Sequence, residues 1–410
     1  MRILFFSHYF PPEGNAPAAR TYDNAVRWVR AGHAVTVVTG VPSHPAGVVF
    51  PGYRNRLRQR ETVCGVEVLR VWTYLAPNKG KLRRIANYVS YMVSATCFAM
   101  WLPRPDIVVA TSPQFFCGWA GVLTSRLRRV PLVLEIRDLW PASIAAVGAL
   151  ESRPLLRCLE LLERAMYRAA TIIVTVGHGY RRELLARGVP EARLHVIPNG
   201  IDRARFAPRE ADAELKRSLG LEGRFIVGYS GTLGMASGLD VVLRAARTLR
   251  ERGRDDIAFL LVGDGAVRED LAAAARRDGL ERVVFAGRQD PARMPAFLSI
   301  CDVCLVHLRK LELFSTVLPS KIFEAAGMAR PILLGVGGEA REIVETAGCG
   351  EFVEPENDAA LVEAVLRLAA DPARRRALGE AGRAYVAAHH DRDRLAAEYL
   401  DLLAGVLGVD

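Results

Sequence analysis

The chain is poor in the features that would fix a chemistry at first sight. Its 7 cysteines (64, 97, 117, 158, 301, 304 and 349) are odd in number, lie mostly within apolar runs and show no framework spacing. That excludes a disulfide scaffold and favours a reducing compartment. The close pair Cys301-x-x-Cys304 has no second pair and no adjacent histidines to complete a zinc site, so core packing accounts for it. His8, His178 and His195 are scattered through different elements and read as satisfied structural histidines. Asp391-x-Asp393 lies in the helical tail, away from any strand-end loop, so neither a metal nor another cofactor is expected. There is no Walker motif and no full dinucleotide fingerprint. No aromatic platform interleaves the arginine runs, which argues against nucleic acid as a partner. The opening run Met1 to Phe10, followed by Pro11-Pro12, is too short and lacks a small-residue cleavage site, so no export signal is expected.

Residues 85–103 carry no charge and reach the length at which a membrane helix must be weighed. Asn87, Ser90, Ser94 and Thr96 interrupt the run, and spanning would part the strand at Asp106 from its own sheet. Three readings stay open: a buried crossover helix, a helix lying in the lipid interface, and a spanning one.

What is present points to two domains. The 410 residues, 50% of them hydrophobic, exceed what one core usually organises. Residues 1–198 hold 26 Lys+Arg against 12 Asp+Glu, a net +14, whereas the rest hold 29 against 33, a net −4. The basic half clusters its charge at Arg54, Arg56, Arg58 and Arg60, at Lys79, Lys81, Arg83 and Arg84, and at Arg126, Arg128 and Arg129. Such runs suit an anionic lipid surface or a phosphorylated substrate, although each can also be a solvated face.

Both halves alternate short β-branched runs with helix-length segments, as an α/β doubly wound parallel sheet does. The strand, helix, strand series Ile3 to Phe6, Pro17 to Ala31 and Ala34 to Thr39 opens the first half. Runs at 106–111, 131–136, 171–176 and 194–197 continue it. The turn-forming cluster Pro198-Asn199-Gly200-Ile201-Asp202 reads as the linker. The alternation restarts at 224–231 and proceeds through 257–262, 283–285, 303–306 and 331–334. A capping box, Ser237-x-x-Asp240, predicts a helix from about Leu239. Residues 371–407 read as two helices broken near His389-His390-Asp391.

Three constellations could carry chemistry. Lys321 and Glu324 are three apart and share a helix face. With Pro319 in the first turn, the helix dipole and Lys321 would together seat a phosphate, and Glu324 could accept hydrogen bonds from ribose hydroxyls. That pair suggests a nucleoside diphosphate. Glycine-bearing loops follow the first strand of each half, around Gly14 and around Gly231, where backbone N–H groups can approach an anion. Facing each other, they would place the ligand between domains. The strand 131–136 ends in Arg137-Asp138, of which Asp138 could take a proton from an acceptor hydroxyl and Arg137 could neutralise a phosphate; an ion pair closing the strand is the plainer alternative.

In series these residues resemble the retaining glycosyltransferases of family four, with the GT-B fold. Tyr9 to Gly14 with Arg20, Val196 to Asp202 with Phe206, Leu261 to Gly265, Pro319 to Glu324, Gly337-Gly338-Glu339 and Val353-x-Pro355-x-x-Asp358 match its motifs in order. The resemblance implies two Rossmann-like domains facing a central cleft: 1–198 for the acceptor, 199–388 for the nucleotide-sugar, and a last helix at about 391–408 packing back onto the first. It implies a donor site at Gly14, Gly231, Thr232, Gly263, Arg288, Thr316, Lys321 and Glu324, with Arg137, Asp138 and Lys321 acting on the reaction. Thr316 stands where the family commonly has a first glutamate, and Thr232 and Ser237 stand where it has an arginine and a lysine. Arg-Asp-Leu-Trp-Pro with Pro-Ser-Lys-Ile-Phe-Glu looks like the branch of bacterial O-antigen fucosamine transferases. For that branch the implied donor is a UDP-linked N-acetylated aminosugar, and the acceptor a polyprenyl-diphosphate-linked saccharide. The implied place is cytoplasmic, peripheral on the inner face of the cell membrane, with Arg54, Arg56, Arg58, Lys79, Lys81, Arg83 and Arg84 serving acceptor and membrane. A UDP-aminosugar epimerase and a catalytically silent nucleotide-binding partner remain as alternatives.

Overall fold

Parallel strands buried on both faces read as unbroken apolar runs, and these organise the chain. The computed structural model describes residues 1–44, 46–76, 81–112, 114–142 and 152–408. They divide into two units, Met1–Pro198 with Asp393–Asp410, and Asn199–Arg392.

The first unit runs β1 (Arg2–Phe6), α1 (Ala16–Arg30), β2 (Ala34–Gly40), β3 (Arg58–Val63), β4 (Val66–Val71), α2 (Lys81–Ala99) and β5 (Ile107–Thr111). It continues through α3 (Phe115–Arg128), β6 (Leu132–Ile136), α4 (Arg153–Ala169), β7 (Ile172–Thr175), α5 (His178–Ala186) and β8 (Leu194–Val196). The sheet order is β3-β4-β2-β1-β5-β6-β7-β8, parallel except for the β3–β4 pair. That hairpin was not expected from the sequence. It turns the basic run at 54–60 partly into an edge strand, with Arg58 and Arg60 exposed on it.

The crossover helix α2 removes one of the three readings of 85–103. Tyr91, Ala95 and Ala99 are buried, while Ile85 and Val93 are exposed. Among the described residues no helix is long and apolar enough to cross a membrane. The spanning reading is therefore wrong for this segment, because one face packs in the fold.

The second unit runs α6 (Ala213–Ser218), β9 (Phe225–Ser230), α7 (Asp240–Glu251), β10 (Ile257–Val262), α8 (Arg268–Arg277), β11 (Val283–Gly287) and α9 (Met294–Ser299). Then come β12 (Val303–His307), α10 (Lys321–Gly327), β13 (Ile332–Gly335), α11 (Glu339–Thr346), β14 (Gly350–Phe352), α12 (Asp358–Ala370) and α13 (Pro372–His389). Its six strands are ordered β11-β10-β9-β12-β13-β14, all parallel. The expected capping box does not form. Gly238 takes a left-handed φ of 59° and Ser237 turns its hydroxyl to the Thr232 carbonyl at 2.9 Å, so the helix starts at Asp240. Cys301 and Cys304 are buried, and a side chain at Gly228 would strike the Cys301 Sγ at 2.2 Å, so the pair packs the core.

The last helix, α14 (Arg392–Leu407), closes the core of the first unit. Trp28 of α1 stacks on Phe5 with ring centres 5.7 Å apart and donates its indole N–H to the Ala396 carbonyl at 3.0 Å. Tyr399 meets the Trp28 ring edge-on at 5.2 Å. Burying an aromatic ring of this size contributes roughly 1.5–3 kcal/mol, so α14 belongs to this core although it follows the other unit in sequence.

Candidate functional site

The carboxyl ends of parallel strands are where such sheets bind ligands, and in the second unit three glycines interlock there. The Gly231 N–H donates to the Val262 carbonyl and the Gly263 N–H to the Gly287 carbonyl, each at 2.9 Å. A Cβ on Gly263, whose φ is 141°, would lie 1.9 Å from the Gly231 oxygen. Only glycine lets these backbones approach so closely. The turns that end β9, β10 and β11 form one surface, on which Gly231 and Thr232 are exposed.

Lys321 reaches that surface. Its ammonium sits 3.8 Å from the centre of the Tyr229 ring, and a Cβ on Gly231 would be 3.0 Å from its Nζ. The ring is held in turn, because the Tyr229 hydroxyl donates to the Thr232 carbonyl at 2.9 Å. A cation over an aromatic face gains about 0.5–2 kcal/mol, so the ammonium is fixed beside the glycine turn. Pro319 lies one residue ahead of the N-cap Ser320, outside the helix rather than in its first turn. Glu324, half-buried on the same short helix, has its carboxyl pushed up by burial, against the charges of Arg392, Arg205 and Lys321. Sequence reasoning had named neither Tyr229 nor these two arginines.

Thr316 ends a single turn, Glu312–Thr316, whose Ser315 carbonyl packs so closely on Gly338 that a Cβ there would lie 2.0 Å away. This brings Thr316 to the same edge, with its hydroxyl donating to the Leu313 carbonyl at 2.7 Å. Arg288 follows β11 directly and is exposed. His307 ties the edge together: Nδ1 pairs with the Ser237 carbonyl at 2.8 Å, and Nε2 accepts the Glu356 N–H at 2.9 Å. Burial holds this imidazole below its ordinary value, hence neutral, as an accepting Nε2 requires.

In the first unit Arg137 and Asp138 lie half-buried at the end of β6, with the Arg137 N–H donating to the Ser112 hydroxyl at 2.8 Å. The buried carboxylate there is Glu135, to which sequence reasoning gave no role. Arg20 donates to it at 2.9 Å and also grips the carbonyls of Ile197 and Pro198, each at 2.9 Å. Burial pushes the Glu135 carboxyl up, but Arg20, Arg137 and the Thr111 hydroxyl outweigh it and hold it below its ordinary value. Gly14 is exposed in the loop before α1, which Asn15 caps by accepting the Ala18 N–H at 2.9 Å.

Next to that loop, Glu13 is 5% exposed and its Oε1 accepts the N–H groups of Ser43 at 3.1 Å and His44 at 2.9 Å. Burial raises its carboxyl to about 7. His8 is satisfied only in part: Asn87 hydrogen-bonds its side chain, whereas its Nδ1 is buried without a hydrogen-bond partner, and burial lowers the imidazole to about 3. Of the basic clusters, Arg54, Arg56 and Arg83 are exposed, whereas Arg84 lies against Tyr88. Lys79 and the side chain of Lys81 lie outside the described residues. Among the described residues no cluster of three metal-ligating side chains occurs.

Comparison with known proteins places this geometry in context. Residues 15–200 match the family described as glycosyl transferase 4-like domain, and residues 211–385 match glycosyl transferases group 1. A putative colanic acid biosynthesis glycosyl transferase of Escherichia coli K12, WcaI, is 28% identical over 89% of this chain and 91% of its own. The 2-deoxystreptamine glucosyltransferase of Streptomyces kanamyceticus is 30% identical over 72% of this chain and 77% of its own. The structure of Anabaena Alr3699/HepE with UDP and glucose superposes with a TM-score of 0.74 at 20% identity, covering 98% of this chain and 99% of that one.

Proposed function

Since the chain belongs to the glycosyltransferases, with a 4-like domain followed by a group 1 domain, we propose that it transfers an N-acetylated aminosugar from a UDP-sugar to a polyprenyl-diphosphate-linked saccharide, with retention at the anomeric carbon. The bond from that carbon to the diphosphate breaks, the bond to the acceptor oxygen forms on the same face, and the acceptor proton passes to the departing phosphate oxygen. Such a reaction calls for stabilisation of the leaving diphosphate more than for a strong base. The observation that carries the reading is the Lys321 ammonium held over Tyr229 beside the Gly231 turn.

In this reading Lys321, Arg288 and the amide of Gly231 receive the diphosphate, so no metal is needed. Glu324 takes the ribose hydroxyls, and Thr316 the sugar. Arg137 and Asp138 face the acceptor. The UDP bound by HepE supports the choice of nucleotide, and the colanic acid assignment of WcaI supports a surface polysaccharide as product. Exposed Trp101 and Leu127, at 76% and 65%, with the arginine clusters support a peripheral seat on the inner face of the cell membrane.

Lys321→Met tests the reading. Loss of one such electrostatic contact costs about 2–4 kcal/mol in the barrier, so UDP release in the presence of donor and acceptor should fall on the order of 30- to 1000-fold. Turnover at the parent rate would remove Lys321 from the reaction, and a melting-temperature screen of UDP, GDP, ADP and TDP that favoured another base would overturn the donor.

A further inference from the structure

Taking the transferase reading as its premise, we propose that the aromatic cluster at the carboxyl end of β1 is the acceptor's seat: Tyr9 and Tyr88 hold a sugar ring, and Arg84 holds the phosphate attached to its reducing end. The cluster is built around His8. Its imidazole meets Tyr9 at 4.7 Å, Tyr88 at 5.5 Å and Tyr91 at 4.7 Å, all nearly edge-on. Tyr91 is fully buried and donates its hydroxyl to the Val38 carbonyl at 2.8 Å, which anchors the inner side. Tyr9 and Tyr88 are only half-buried, so they form the outer side. His44 stands against Tyr9 at 5.1 Å and is kept there by its N–H bond to Glu13.

Two polar groups in this cluster are unspent. The Nδ1 of His8, a residue 8% exposed, is buried with no partner, and so is the Nε of Arg84. Buried donors and acceptors are normally satisfied, and an exception calls for an explanation. Arg84 places its guanidinium 5.8 Å from the Tyr88 ring centre and donates Nη2 to the Tyr88 hydroxyl at 3.2 Å. The remaining N–H groups of that planar fork match a phosphate. Tyrosine faces beside it suit the apolar C–H faces of a pyranose, and a few fixed polar groups in an aromatic wall are the usual make-up of a ligand site. A saccharide carrying a phosphate at its reducing end satisfies both halves of the cluster; a sugar alone or an anion alone satisfies one.

The test is calorimetric titration of the full chain, free of donor, with three probes: farnesyl-diphosphate-linked N-acetylglucosamine, octyl N-acetylglucosaminide, and phosphatidylglycerol vesicles without saccharide. The parent should prefer the diphosphate-linked probe. Arg84→Gln should weaken that probe roughly tenfold, about the loss of one charge-assisted contact, and leave the octyl glycoside unchanged. Tyr9→Leu should weaken both sugars. Variants whose melting temperature matches the parent's count as folded, and Tyr88→Leu, which likewise removes a ring face, replaces Tyr9→Leu if that one does not. Equal binding of the diphosphate probe by parent and Arg84→Gln overturns the proposal, as does a parent that takes neither sugar. Loss of vesicle binding alone in Arg84→Gln also overturns it, since the anion would then be a lipid headgroup. Tight binding of the probe without UDP release from any UDP-sugar would sink the transferase reading and leave this seat standing.

Discussion

Glu13 offers a stability prediction whose sign and size follow from its surroundings. Its carboxyl is 5% exposed, and burial raises it from an ordinary 4.5 to about 7 despite the N–H groups of His44 and Ser43 and the charge of Arg70. The folded chain therefore keeps a proton that the unfolded chain gives up between those two values. Stability contributed here is full below about 4.5, falls as pH rises through about 7, and is level above. A difference of about 2.5 units corresponds to about 3 kcal/mol over the whole window. Glu13→Gln keeps an oxygen to accept the two N–H groups and carries no charge at any pH. The variant should match the parent near pH ~5 and be the more stable by on the order of 2–3 kcal/mol near pH ~8. Urea denaturation followed through the first unit's transition at intermediate pH values measures the difference directly. A gap between variant and parent that does not grow with pH would refute the reasoning, because a carboxyl already ionised in the folded chain predicts a flat line.

Two further changes probe the strand ends. Gly231→Ala puts a Cβ 3.0 Å from the Lys321 Nζ at a φ of 131°; it should cost roughly 1–2 kcal/mol of stability and lower kcat more than tenfold by displacing the ammonium, and an alanine variant with parental kcat would sever the link between that turn and Lys321. Arg20→Met strands the buried Glu135 carboxylate, a loss of about 3–5 kcal/mol, most of which Arg20→Met with Glu135→Leu should restore in a double-mutant cycle. Because Glu135 is held below its ordinary value, its contribution is present at neutral pH and is lost as pH falls through its folded value.

The parallel strands were legible because a strand covered on both faces needs an almost unbroken apolar run, as Ile107–Thr111 and Ile257–Val262 show. The β3–β4 hairpin escaped notice for the opposite reason. Arg58–Val63 is polar or charged up to its last residue and lies on an exposed edge, and the charge run masked a signal that was there: Cys64-Gly65, both at positive φ, is a two-residue turn between the paired Val63 and Val66. Ser237-x-x-Asp240 had the spacing of a capping box, but the Tyr229 and Thr232 groups that claim the Ser237 hydroxyl lie on another element. The same limit governed the candidate site. Lys321 and the Gly231 turn could each be picked out from local pattern, whereas Tyr229 beneath the ammonium, and the aromatic ring about His8, exist only once distant segments meet.

What distinguishes Lys321 from a surface lysine is that its position is settled before any ligand arrives. A free lysine gives up about 2 kcal/mol of rotamer freedom when it is immobilised, and a transition state pays that cost unless folding has met it. Here the Tyr229 ring holds the ammonium, Thr232 holds the ring, and the Gly231 turn is locked to β10 through the Val262 carbonyl and the close approach of Gly263. Each link is a packed or hydrogen-bonded contact within one unit, so the cation and the exposed glycine turn keep a fixed spacing. Electrostatic catalysis depends on that fixity more than on the number of charges. A chain with more basic residues around a mobile turn would bind diphosphate and still be the slower catalyst.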